Sequence, residues 1–109
     1  MSIYYALVVR QQQTVLSEYT EYSGNFQQTV RELFKLIERD TKKSFQAQQY
    51  YFHCLDEDGI TFICMAGEDI ERKMAYRFLY DLKKTFFHSY TAEEINKARS
   101  YELEFAETI

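Results

Sequence analysis

The chain has no proline and no tryptophan, three glycines, two cysteines and two histidines in 109 residues. Three glycines are too few for a loop that brings several backbone amides onto a phosphate. The cysteines, Cys54 and Cys64, sit inside apolar strand-like runs, without CxxC spacing or a histidine pair, so they make no zinc set. They read as buried free thiols of a reducing compartment. His53 alternates with Phe52 and Cys54 on a strand and points away from both, so a Cys/His nucleophile pair would need another segment. Asp56, Glu57 and Asp58 lack the loop length and the closing bidentate glutamate of a calcium site and read as a solvated turn. No enzymatic activity, cofactor or metal is expected.

Long apolar runs are missing too. No stretch approaches the roughly 20 apolar residues that span a bilayer. The opening run from Ile3 to Val9 is short and has no basic segment before it, which fits a strand and not a signal peptide. Basic residues form no block, and Lys42-Lys43 and Lys83-Lys84 have acids nearby. With a net charge of −4, this argues against nucleic acid as a partner and against an electrostatic membrane anchor. There is no repeat or low-complexity segment, and the length fits one domain over residues 1–109.

Aromatic residues are abundant at 17%, with ten Tyr and nine Phe. They must form much of the core, with some left for a contact surface. Ile3 to Val9 reads as a central strand covered on both faces. Thr14 to Thr20 alternates and reads as its hairpin partner. Asn25 is placed to cap a first helix, with Gln28 completing a capping box. That helix carries Phe26, Val30, Leu33, Phe34 and Ile37 on one stripe and ends in a charged loop, Arg39 to Lys43. Ser44 to Leu55 is extended and long for one strand, which predicts a break near Gln48-Gln49. Asp56 to Gly59 is a hairpin signal, and Ile60 to Ala66 is a second central strand. Asp69 is placed to cap a long helix with Ile70, Met74, Ala75, Phe78, Leu79, Leu82 and Phe86 as its apolar face. Thr91 and Glu94 make a capping box for a last helix with Ile95, Ala98, Tyr101, Phe105 and Ile109 as its stripe. The order β-β-α-β-β-β-α-α, with two central strands needing cover on both sides, predicts an α/β (α+β) fold. It is a three-layer α/β/α sandwich around a five-stranded, mainly antiparallel sheet.

The opening Ile3–Arg10, the run Glu18 to Phe26, Tyr51-Phe52-His53, Asp69-Ile70-Glu71-Arg72 before Phe78-Leu79, and Lys83-Lys84 with Phe86 form a series that covers almost the whole chain. In this order they resemble the longin domain of the longer, synaptobrevin-like vesicle-associated membrane proteins, whose fold is a profilin-like sandwich. The resemblance implies an N-terminal regulatory and sorting domain of a vesicle SNARE, at the cytoplasmic face of vesicle, endosomal or plasma membranes. Its implied partners are the protein's own SNARE motif, which it restrains, cognate SNAREs and trafficking adaptors. The sequence ends after the last helix without a heptad segment, a central SNARE arginine or a C-terminal anchor. The resemblance therefore implies that these lie beyond Ile109, and that the domain by itself is soluble. The alternative is a free-standing longin-fold subunit of a tethering or coat complex. A small-molecule sensor or enzyme on the same sandwich would need an open core pocket, which the density of large aromatics disfavours.

In the family the ligand lies in an apolar groove between the first helix and the neighbouring edge strand. The residues here are compatible with one. At about 100° per residue, Phe26, Val30, Leu33 and Ile37 point the same way. Leu36 and Thr29 lie on one flank and Phe34 on the other. The apolar arc is about 160° wide, more than the roughly 100° that docking on a sheet needs. Across from it, Phe45 and Ala47 share one face of a strand placed at the sheet edge. Phe26, Val30 and Ile37 read first as core, and Leu33, Phe34, Leu36 and Phe45 first as groove.

Overall fold

A computed structural model describes residues 3–10, 14–20, 26–47, 49–99 and 103. The elements are β1 (Ile3–Arg10), β2 (Thr14–Thr20), α1 (Phe26–Phe34), β3 (Lys42–Ala47), β4 (Tyr50–Glu57), β5 (Ile60–Ala66), α2 (Arg72–Ser89) and α3 (Ala92–Lys97). They come in the order the sequence predicts. The strands form one sheet in the order β2-β1-β5-β4-β3, and every neighbouring pair is antiparallel. Strand β5 is central and buried along its whole length, which is why it reads as a continuous apolar run and does not alternate.

Successive residues of a strand face opposite ways, and the two faces have different covers. Tyr5, Leu7, Val9, Phe52, Cys54, Ile63 and Met65 pack under α1, against Val30, Leu33 and Phe34, with Ile37 beyond the helix end. On the other face Ala6, Val8, Leu55, Phe62 and Cys64 pack under α2 and α3, against Ala75, Leu79, Leu82, Phe86 and Ile95. Each large side chain buried this way stabilises the fold by about 1.5–3 kcal/mol. Phe62, Phe86 and Phe87 also meet edge to face at 5.6–6.1 Å between ring centroids, the arrangement aromatic quadrupoles favour.

The turns follow from local chemistry. Glu57 pairs with Ile60, and between them Asp58 (φ 57°) and Gly59 (φ 79°) both have positive φ. This is the type I′ turn that Asp-Gly favours. Ala47 pairs with Tyr50, which puts the break between β3 and β4 where it was expected. The register of β1 with β2 jumps from Val8↔Ser17 to Val9↔Val15. Leu16 is bulged out of that ladder, and its carbonyl accepts the Leu103 N–H at 3.2 Å.

Five expectations need correction. Helix α2 begins at Arg72 with Glu71 as its N-cap and no side-chain cap, so Asp69 does not cap it and Ile70 precedes it. Met74 is 45% exposed, and Tyr76 is buried instead. With the helix centred on Leu79 and Phe86, Met74 points about 140° away at 100° per residue. Strand β3 starts at Lys42, inside the segment expected to be loop. Asp56 is no solvated turn residue. It is buried, accepting from Thr61 Oγ1 at 2.6 Å and from the Asp40 N–H at 3.1 Å. Finally, α3 has its capping box at Thr91 and Glu94 but ends at Lys97, and Ala98 is already extended. Arg10 Nη1 donates to the carbonyls of Ile95, Asn96 and Ala98 at 2.7–3.0 Å and terminates the helix there. The expected roles of Asn25, Tyr101, Phe105 and Ile109 lie outside the described residues.

Candidate functional site

The expected groove residues divide between a floor and a rim. Val30, Leu33, Phe34 and Ile37 are each less than a tenth exposed and belong to the core between α1 and the sheet. They form a floor that is already closed. Helix α1 ends at Phe34, and the Leu36 N–H bonds to the Leu33 carbonyl at 2.8 Å, a tighter turn than the helix. Leu36 and Ile37 therefore do not continue the helical wheel. Ile37 swings into the core, while Leu36 is left 53% exposed. Thr29, Phe45 and Ala47 are half-buried. Phe26 opens α1, but its side chain lies outside the described residues.

The second wall comes from β3. Phe45 pairs with Phe52 and Ala47 with Tyr50, so both sit on the α1 face, where they pack at the margin of the core. Lys43 places its ammonium 5.6 Å from the Phe45 ring centroid, a contact that a cation makes with the negative face of a ring. Strand β3 is the last in the sheet, so its outer backbone edge lies beside this rim. Among the described residues of the expected groove, those left at the surface are Thr29 and Leu36 on the α1 side and Phe45 and Ala47 on the edge strand β3, the rim of that floor.

The opposite face of β3 carries a polar cluster that the sequence did not announce. Ser44 Oγ lies 2.7 Å from His53 Nδ1 and 2.9 Å from the Tyr76 hydroxyl. The His53 ring meets Tyr76 edge-on at 5.5 Å and stacks on Tyr51 at 6.2 Å. Burial, and secondarily the Arg72 charge, lower the His53 pKa, while burial is the main cause that raises that of Tyr76. The imidazole is therefore held neutral and the phenol protonated. A serine beside an imidazole invites comparison with a nucleophile and base. Here the serine is shared with Tyr76, and no carboxylate orients the ring among the described residues. Nor are the thiols activated. Burial pushes the Cys54 pKa up to about 12 and raises that of Cys64 as well. The cluster is a structural tie between β3, β4 and α2.

Two sets of comparisons bear on this geometry. The family Longin, described as a regulated-SNARE-like domain, matches residues 16–109. Vesicle-associated membrane protein 7B of Dictyostelium discoideum is 41% identical over 91 residues, covering 83% of this chain and 35% of that protein. Vesicle-associated membrane protein 712 of Arabidopsis thaliana is 35% identical over 103 residues, covering 93% and 46%. Human vesicle-associated membrane protein 7 is 31% identical over 91 residues, covering 83% and 41%. The chain spans less than half the length of these relatives.

Proposed function

Since the chain belongs to the longin family of vesicle-trafficking, non-enzymatic SNARE domains, we propose that its rim between α1 and β3 docks a SNARE-motif helix or an adaptor segment. One observation carries this reading. Leu36, in the turn after α1, is more than half exposed, and Phe45 and Ala47 of the edge strand β3 are half-buried at the margin of the core under the same helix. A large aliphatic side chain left in water and a sheet edge are what an incoming segment covers.

Magnitudes decide what kind of contact this is. The floor is already buried, so only roughly 200 Å² of apolar surface is left to cover, worth about 5 kcal/mol gross at ~25 cal/mol per Å². Ordering a flexible segment costs about 2–5 kcal/mol. The net is small. A free segment would bind weakly, and one tethered to the same chain would gain from an effective concentration in the millimolar range. Autoinhibition in cis that an adaptor can displace follows from that balance.

The test is binding of a labelled SNARE-motif peptide, measured by fluorescence anisotropy. The expected affinity is on the order of 100 µM or weaker in trans, lost on Leu36→Asp. Because Leu36 is exposed, that change costs about 0.5 kcal/mol of stability or less. Equal affinity for wild type and Leu36→Asp would refute the reading.

A further inference from the structure

A second surface lies on the other side of β3. Lys42, Arg72, Lys73, Tyr76, Arg77 and Tyr80, with Asp81 at one end, line an open cleft of about 720 Å³ between β3 and α2. Its construction is specific. Tyr76 and Tyr80 stand one turn apart along α2 and form the base, with Tyr76 only 7% exposed. Lys42 reaches across from β3 and places its ammonium 5.6 Å and 6.0 Å from the two ring centroids. Arg72 lies over the Tyr76 ring at 5.7 Å. Lys73 and Arg77, four residues apart, form the far wall. None of these four cations makes an ion pair among the described residues, whereas Lys83 and Lys97 do. On a chain of net charge −4, this is a local concentration of unneutralised positive charge.

We propose that this trough binds an extended acidic peptide segment, rich in Asp or Glu, of a partner protein. The spacing fits. Residues four apart on a helix rise by about 6 Å, close to the roughly 6.7 Å between alternate side chains of an extended peptide. Successive carboxylates on one side of such a segment would meet Lys73 and Arg77, and those on the other side would meet Lys42. The exposed Tyr80 ring supplies apolar area beneath the peptide, and the guanidinium groups offer paired donors to carboxylates. An anionic bilayer fits less well. It needs cations projecting from a convex face, and the rest of this negatively charged chain would be repelled by it. Leu103 is hydrogen-bonded to Leu16, on the opposite sheet edge.

A fluorescein-labelled deca-glutamate peptide is titrated with the 109-residue chain, with deca-glutamine as the uncharged control. The expected result is salt-sensitive binding of deca-glutamate alone, with amide shifts concentrated at Lys42, Lys73, Tyr76 and Tyr80. Arg72→Gln with Arg77→Gln weakens it about tenfold, and Lys84→Gln with Lys97→Gln, which removes equal charge elsewhere, by about twofold or less. Circular dichroism melts confirm that both double variants are folded, and the shift map requires no variant. Equal loss in both double variants, shifts spread over all basic residues, or no binding would overturn the proposal. So would tighter binding to phosphatidylserine vesicles than to the peptide, lost on the same Arg72 and Arg77 substitutions, which would assign the trough to a membrane surface.

Discussion

The Ser44 hydroxyl meets His53 Nδ1 at 2.7 Å, tying the edge strand β3 to β4 on the face that α2 covers. Burial of that imidazole makes the fold sensitive to mild acid. The pKa of His53 is lowered from its ordinary 6.5 by burial and then by Arg72. Below about pH 6.5 the unfolded chain takes up a proton that the folded chain refuses. The stabilisation is therefore complete above that pH and is lost as pH falls towards the depressed folded value. Urea midpoints measured from about pH 8 to about pH 5 should fall, and His53→Gln should flatten the slope in that window. An unchanged slope in His53→Gln would show that the imidazole does not carry the effect.

Cys54 and Cys64 are both buried, and burial holds both thiols protonated, Cys54 with a pKa of about 12. Since the thiolate is the reactive form, the native chain should resist Ellman's reagent near about pH 8 and release two equivalents once unfolded in guanidinium. Reaction of either thiol in the native chain at the rate of a free cysteine would contradict the packing described for the sheet.

Arg10 reaches from the end of β1 to the last carbonyls of α3, at 2.7 Å from both Ile95 and Ala98. Replacing it by methionine keeps much of the stem and removes the donors. The expected loss is about 1–3 kcal/mol, as for hydrogen bonds to a charged group. Amide exchange should accelerate at residues 94–98 and stay unchanged in α1. Uniform exchange across the chain would mean that α3 does not depend on Arg10.

What the sequence made legible was what neighbouring residues decide. The apolar runs Ile3–Val9 and Ile60–Ala66 marked the two strands buried on both faces, Asp58-Gly59 marked the type I′ turn, and Thr91 with Glu94 marked a cap. The failures share a different cause, partners distant in the chain. Tyr76 is buried with its hydroxyl 2.9 Å from Ser44 Oγ, a partner 32 residues away. Asp56 is buried because Thr61 and the Asp40 backbone satisfy it. Helix α3 stops because Arg10 takes its carbonyls. The pair Lys42-Lys43 looked balanced in sequence, yet the fold sets Lys42 opposite Arg72, Lys73 and Arg77. At the candidate site, the angular argument ran over a helix three residues too long. It foresaw the apolar width but not that Ile37 closes the floor while Leu36 stays in water.

The role of Leu36 rests on its exposure and not on its packing. Leu36→Ala should therefore leave the urea midpoint nearly unchanged, within about 0.5 kcal/mol, whereas Leu33→Ala should cost about 2–4 kcal/mol by opening a cavity under α1. Comparable losses in the two variants would show that Leu36 is part of the core.

The docking rim itself is tested most directly by amide NMR of the labelled chain titrated with a SNARE-motif segment. The expected result is a shift pattern centred on Leu36, Phe45 and Ala47, with Lys73 and Tyr80 on the other face unmoved. Shifts confined to the α2 face, or none at a saturating concentration of the segment, would contradict the account.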